Sequence, residues 1–162
     1  MKTVYKFKEG AHLNGDAQAA GERLDALRKK AGGLTPEVVV DDASREGSVL
    51  HTYFEWDDSA AARKYRLDQA SYLLRSVTVE ISEGDAPSTF RAFVPVQKRT
   101  GERIYESTAM ALSDAEYRKQ VLAQAHAELG AVARKWRELK ELSEVVQAID
   151  RVGQLLTEGQ SS

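Results

Sequence analysis

The chain has no cysteine and few prolines. Its 162 residues include three prolines, and the missing thiols exclude disulfides, thiol nucleophiles and cysteine-ligated metal sites. Hydrophobic residues make up 42% of the chain and charged residues 30%, which is typical of a folded protein. This length predicts one domain, or one domain with an appended element.

Long hydrophobic runs are also missing. No stretch of about 18 apolar residues occurs, and the first ten residues mix charged with isolated apolar side chains. We therefore expect no membrane span, no signal peptide and no membrane partner. The same features, with the lack of cysteine, predict a cytoplasmic protein.

The chain also lacks a strong excess of positive or negative charge. The net charge is −2, which argues against the strong, sequence-independent phosphate binding of very basic proteins. Residues 59–103 are mildly basic, with 8 basic and 5 acidic side chains. That excess suits either one face of a polyanion site or an ordinary solvated surface.

Motifs for catalysis or metal binding are absent from the sequence. His12, His51 and His126 are far apart and fall in different predicted elements, so each is interpreted as structural. No phosphate-binding glycine loop links a strand to a helix. We therefore predict a protein that is not an enzyme, with no catalytic residues, no metal site and no cofactor.

Two pairs of neighbouring acids, Asp41 with Asp42 and Asp57 with Asp58, are candidates for acid and base groups or for cation ligands. The second pair stands where a helix N-cap is expected, which explains it without catalysis. The first pair falls late in a predicted helix, and we expect it on the solvent-exposed side.

Capping residues and periodicity predict the N-terminal elements. The first predicted elements are an edge strand at 4–8 and a helix from the cap Asp16 to Gly32, with an apolar stripe of Ala20, Leu24 and Leu27. A second helix is predicted from the cap Thr35 to about Ser44, followed by a helical turn capped by Ser48. A third helix is predicted from 60 to about 75, capped by residues 57–59.

After residue 75 the period changes to two. Val77, Val79 and Ile81 predict one strand, and residues 90–96 predict a second after a turn at 83–88. A third strand at Ile104 and Tyr105 completes a small antiparallel β-meander. Because proline cannot donate a backbone hydrogen bond, Pro95 is expected on an edge strand or at a strand end.

Ser113 and Glu116 form a capping-box pattern that starts the C-terminal helical element. Behind it runs an apolar stripe with spacings of three and four residues, formed by Leu122, Ala125, Leu129, Val132, Trp136 and Leu139. The stripe restarts out of phase at Leu142, Val146, Ile149 and Val152. This pattern predicts either one long helix or a helical hairpin that breaks near residues 140–143, ending at Gly153 and the tail.

The elements together predict an α+β fold with N-terminal helices, a small antiparallel meander and a long C-terminal helix or helical hairpin. We divide the chain into an α+β domain at 1–112 with three short helices, and a C-terminal helical element at 113–158. The apolar stripe predicts a homo-oligomer whose interface is listed as Leu122, Leu129, Val132, Trp136 and Leu139. The alternative is that the stripe packs on the sheet of its own chain.

Residues 34–75 offer three short helices, as helix-turn-helix modules do, with Arg63, Lys64 and Arg66 early in the third. These three residues are the predicted nucleic-acid contacts. Glu55 and the acids that follow it stand at the entrance to that helix and oppose phosphate binding. The alternative is a helical subdomain in which Phe54 and Trp56 are core residues and the arginines pair with nearby acids.

The segments LTPEVVVDDA, SVLHTYFEWDDSAAARKYRLDQASYLLR, TFRAFVPV and SDAEYRKQVLAQAHAELGAVARKW resemble uncharacterised proteins of tailed bacteriophages and prophages. The resemblance covers roughly residues 4–150, and residues 54–70 are its most distinctive part. It implies a phage protein in the cytoplasm of the bacterial host cell or in the virion, and it assigns no catalytic residue.

Within that context we expect a non-enzymatic DNA-binding or DNA-metabolism accessory protein. The alternative is a virion structural or assembly protein that acts through protein–protein contacts. Its partner would then be a second copy, another phage protein or a host protein.

Overall fold

The computed structural model describes residues 2–56, 60–81 and 87–158, and it confirms the predicted α+β class. Contacts divide the chain into two compact units, Met1–Ala111 and Leu112–Ser162. The elements in chain order are β1 Val4–Phe7, α1 Ala17–Ala31, α2 Pro36–Ala43, a 3₁₀ turn His51–Tyr53, α3 Ala60–Ser76, β2 Val77–Ile81, β3 Ser88–Arg91, β4 Phe93–Gln97, β5 Arg103–Ser107, α4 Thr108–Ser113, α5 Ala115–Trp136, a 3₁₀ turn Lys140–Leu142 and α6 Ser143–Glu158.

The predicted starts of α1 and α2 are confirmed. The Ala19 amide donates to the Asp16 side chain at 3.0 Å, and the Val38 amide donates to Thr35 Oγ1 at 3.2 Å. Each side chain thereby satisfies an amide that has no partner inside its helix. Gly32 ends α1 with a φ of 69°, a left-handed conformation that glycine adopts without strain.

The predicted Ser48 cap is wrong. Ser48 Oγ accepts from the Leu50 amide at 3.2 Å, but the 3₁₀ turn begins one residue later, with Leu50 as its N-cap and no capping bond from a side chain. The predicted cap at 57–59 lies outside the described residues. So do most of the turn predicted at 83–88 and the tail at 159–162.

The strands form two antiparallel sheets, one in the order β1-β2-β3 and one of β4 and β5. Residues 90–96 therefore do not stay in one sheet. The division falls at Ala92, whose amide donates to the Val77 carbonyl at 3.0 Å and whose carbonyl accepts from the Thr108 amide at 2.9 Å. Pro95 lies on β4 and pairs with Tyr105 of β5. Among the described strands β4 has only β5 as a neighbour, so Pro95 lies on an edge strand, as predicted.

The core of the first unit lies between the helices and the sheets. The stripe Ala20, Leu24 and Leu27 of α1 is buried, as predicted. The largest fully buried apolar side chains are those of Phe93, Leu24, Leu34, Leu50, Leu73, Leu74, Val39 and Val77.

The outer edge of β1 is covered by a side chain of α1. The Tyr5 amide donates to Gln18 Oε1 at 2.9 Å, and Gln18 Nε2 donates to the Thr3 carbonyl at 2.9 Å. The amide group of Gln18 thus takes the place of a neighbouring strand. This contact protects an edge that would otherwise offer free backbone groups for pairing.

The second unit is a helical hairpin, one of the two predicted arrangements. Two predicted boundaries are wrong. Asp114, not Ser113, caps α5 by accepting from the Glu116 and Tyr117 amides at 2.9 Å. Gly153 lies inside α6 rather than at its end. In the part of the chain that is described, no helix is long and apolar enough to cross a membrane.

Candidate interaction surfaces

A groove of about 330 Å³ separates α2 from α3 and holds two of the three predicted nucleic-acid contacts. Its lining residues are Glu37, Val40, Asp41, Ser44, Trp56, Arg63, Arg66 and Leu67. Lys64 is exposed on α3 but does not line the groove.

Trp56 is the aromatic residue of this groove. Its indole stacks on the His51 ring, with the ring centroids 4.9 Å apart, and its Nε1 donates to the His51 carbonyl at 3.0 Å. The Arg66 guanidinium carbon lies 5.1 Å from the indole centroid, a cation–π distance. Phe54 beside it belongs to the core, and Trp56 packs against that core, as the subdomain interpretation expected.

Opposite charges face this groove from its two helices. Arg63 and Arg66 line it from α3, whereas Glu37 and Asp41 line it from α2. Neither arginine forms an ion pair with a described acid, so the expected arginine–acid pairing is not found there. Carboxylates in the same groove repel phosphate, which makes the groove a poor DNA surface.

Asp42 is buried, with 3% of its surface exposed, and the expectation that it faces solvent is wrong. It forms a bidentate ion pair with Arg23, and Ser48 Oγ donates to its Oδ2 at 2.7 Å. The Arg23 hydrogen bonds lower the pKa of Asp42 below its ordinary value of 3.8. The pair ties α1 to α2 and leaves Asp42 without a free oxygen for chemistry, whereas Asp41 is exposed as expected.

The histidines do not converge. His51 Nδ1 bonds to the Ala43 carbonyl at 2.8 Å, His12 is exposed near the N-terminus, and His126 lies on α5. Across residues 2–56, 60–81 and 87–158 no group of three or more His, Asp or Glu side chains is arranged to hold a metal ion.

In the hairpin, α5 and α6 run in opposite directions. Gly153 of α6 lies so close to the His126 ring that a Cβ would overlap it, and Arg137 pairs with Asp150 at 3.1 Å. Later residues of α5 therefore meet earlier residues of α6. Ala133 and Val146 are the two buried apolar residues on the inner sides of the helices.

The predicted stripe of α5 does not lie on this inner side. At about 100° per residue, the centre of its α5 members is about 70° around the helix from the direction of His126 and Ala133. Its large members are exposed, with Leu122 at 38%, Leu129 at 48%, Val132 at 55% and Trp136 at 44%. Leu139, at 44%, lies in the connection after α5 rather than on the helix.

A second stripe on α6 lies on the same side of the hairpin. Val145 and Val152 are 57% and 45% exposed, with half-buried Ile149 and Leu156 between and beside them. Their centre is about 90° from the inner side of α6, represented by Val146. Because the helices are antiparallel, similar displacements in the same rotational sense bring both stripes to one side of the hairpin.

We call this combined surface the apolar face. Its residues are Leu122, Ala125, Leu129, Val132 and Trp136 of α5, with Val145, Ile149, Val152 and Leu156 of α6. On α6 the sequence pattern included Ile149 and Val152 but missed Val145 and Leu156, because it assigned Val146 to the same stripe as Val152. The adjacent pair Val145 and Val146 was the signal that this helix is apolar on two sides.

Comparison of the chain with family models, with curated proteins and with solved structures found no match.

Proposed function

We propose that this chain is a non-enzymatic assembly protein that acts through protein–protein contacts, with the apolar face as its contact surface. The observation that carries the proposal is the exposure of large apolar side chains on both helices of the hairpin. A helix normally buries its apolar stripe against another element, and a contiguous exposed stripe is typical of an interaction site.

The test is the mass of the assembled protein in sedimentation velocity, at micromolar concentration. We expect the wild type to exceed the monomer mass of 17.9 kDa. Leu129→Glu with Trp136→Glu places two charges on the apolar face, and this variant should sediment as a monomer that keeps its helical circular dichroism.

The matched control is Ala127→Glu. Ala127 is exposed on α5 and lies on the side of the helix opposite the apolar face. A new charge there should leave the assembly intact. A monomeric wild type whose double variant unfolds would show instead that the face is covered within one chain, and would refute the proposal.

DNA binding is the second candidate, supported by Arg63 and Lys64. Both are exposed in the first two turns of α3, and neither pairs with a described acid. They lie in the mildly basic segment 59–103. Glu37 and Asp41, facing the same groove as Arg63, weigh against this function. The phage origin that the resemblance implied stays a prediction.

A gel-shift titration at about 50 mM salt tests DNA binding. If Arg63 and Lys64 contact phosphates, each substitution by alanine should reduce the slope of log affinity against log salt by about one. Arg118→Ala, on α5, is the control and should leave the slope unchanged. No saturable binding to duplex or single-stranded DNA would remove this candidate.

A further inference from the structure

We propose that the apolar face is covered by the same face of a second copy, with α5 of each copy stacked on α6 of the other in a four-helix bundle. The inference rests on the proposed function and adds the partner and the arrangement. Three observations support it: the size of the face, the absence of charge within it and the charges along its edges.

The face is large enough for a dimer. The 16 residues of α6 extend about 24 Å, and two helices side by side are about 20 Å wide. Treated as flat rectangles, the faces of two copies bury about 1,000 Å² in total. Protruding side chains increase this area, so it reaches the size expected of a specific interface.

The face carries no charge over its paired length. From Lys119 to Trp136 every charged side chain of α5 projects from another side of the helix, as do Glu144, Asp150 and Arg151 of α6. A two-fold interface brings a surface against itself, so an uncharged surface meets no like charge at its centre.

The outer edges of the hairpin carry complementary charges. Glu128 and Lys135 lie on the edge of α5 away from α6, and Glu144 and Arg151 lie on the opposite outer edge. None of these four forms an ion pair with any described residue. Lys135 Nζ lies 5.1 Å from the centroid of the Trp136 ring, which places the ammonium group beside the apolar face.

The positions of these four charged residues along the helix axes decide the arrangement. Because His126 lies beside Gly153, Glu128 is level with Arg151 and Lys135 is level with Glu144, within about one helical turn. A two-fold axis parallel to the helices preserves these heights. It therefore sets Glu128 beside Arg151 of the second copy and Lys135 beside Glu144 of the second copy.

The other face-to-face arrangement stacks α5 on α5. With the hairpins overlapping fully, it sets Glu128 near Glu128 of the second copy and Arg151 near Arg151 of the second copy. Like charges at an interface rim are unfavourable, so the rim charges favour α5 on α6.

Exchanging one pair of charges tests the arrangement. Lys135→Glu and Glu144→Lys each place like charges at both rims of a homodimer, and each should raise the dimer dissociation constant about three- to ten-fold. An equimolar mixture of the two variants pairs opposite charges at both rims of the heterodimer. It should associate within about two-fold of the wild type.

Arg134→Glu is the matched control, since it makes the same charge change one residue away, on the side of α5 opposite the apolar face. It should leave the dissociation constant unchanged. Sedimentation equilibrium measures all four proteins and the mixture, and a wild-type mass of two chains is expected.

Recovery in the mixture supports the arrangement, because within one hairpin Lys135 and Glu144 project in opposite directions. A wild-type dimer whose mixed variants associate no better than either variant alone would overturn the arrangement while leaving the proposed function standing. A wild type that stays monomeric with its apolar face open would overturn the second copy as the partner.

Discussion

Gly21 lies in the middle of α1 because a larger residue would leave no room for Tyr5. A Cβ built at Gly21 overlaps the Tyr5 ring, which packs from β1 against this helix. Glycine is unfavourable inside a helix by about 1 kcal/mol relative to alanine. The close approach of strand and helix therefore outweighs helix propensity at this position.

We expect Gly21→Ala to lower the free energy of unfolding by about 1 to 3 kcal/mol, because overpacking exceeds the gain in helix propensity. Urea unfolding followed by circular dichroism measures the change. Gly130→Ala is the control on α5, where the nearest atom to a Cβ is Arg134 Nη1 at 3.4 Å. That variant should be neutral or more stable by up to about 1 kcal/mol, and equal losses in both variants would contradict the steric explanation.

Asp41 and Asp42 show a limit of prediction from the sequence. Asp41 and Asp42 were interpreted alike, yet only Asp42 is buried against Arg23. The difference depends on a partner 19 positions earlier in the chain, on another helix. Hydrophobic periodicity carries no information about such a polar contact, so the buried pair could not be predicted from spacing.

At the scale of elements, Gln18 links α1 to the open edge of β1. We expect Gln18→Ala to lower the free energy of unfolding by about 1 to 2 kcal/mol, because it leaves the Tyr5 amide and the Thr3 carbonyl without this partner. It should also increase heat-induced aggregation, measured by light scattering, since the strand edge becomes available for pairing.

Gln18→Glu, made together with Glu22→Gln, separates the two hydrogen bonds. The second change is needed because Gln18 Nε2 also donates to Glu22 Oε1 at 2.8 Å, and two carboxylates there would repel each other. A glutamate at position 18 keeps an acceptor for the Tyr5 amide but has no donor for the Thr3 carbonyl. The stability and aggregation of this variant should fall between those of Glu22→Gln alone and of Glu22→Gln with Gln18→Ala. Aggregation of Gln18→Ala at the wild-type rate would show that the edge does not need this cover.

Element starts were predictable where one side chain caps its own helix, as at Asp16 and Thr35. The prediction was one residue early at α5, because Ser113 and Asp114 are both good caps and only the backbone decides between them. The division of the strands at Ala92 was not predictable, because it depends on hydrogen bonds to Val77 and Thr108, both distant in the sequence.

For the whole molecule, the C-terminal stripe was the most informative pattern in the sequence. Its spacing predicted an apolar surface, and the break near residue 140 left room for the hairpin that the structure has. The spacing could not show that a second stripe on α6 joins it, because the direction in which one helix folds back on the other is set by contacts such as His126 with Gly153.

The two tryptophans allow each unit to be followed separately, since Trp56 lies in the first unit and Trp136 in the second. Trp56→Phe leaves Trp136 as the only indole, and Trp136→Phe leaves Trp56. Either replacement keeps an aromatic ring at the substituted position. Fluorescence during heating then reports the unfolding of one unit in each variant.

If the second unit dimerises, its unfolding must depend on protein concentration. Each tenfold rise in concentration stabilises a dimer by about 1.4 kcal/mol, which raises the midpoint of a small unit by about 5 °C or more. We therefore expect the Trp136 transition of the Trp56→Phe variant to shift upward between 1 and 100 μM, two tenfold steps of about that size. The Trp56 transition of the Trp136→Phe variant should stay in place unless the two units unfold together. A Trp136 transition that does not move with concentration, in a protein that is helical at both ends of the range, would mean that the apolar face is not held by a second copy.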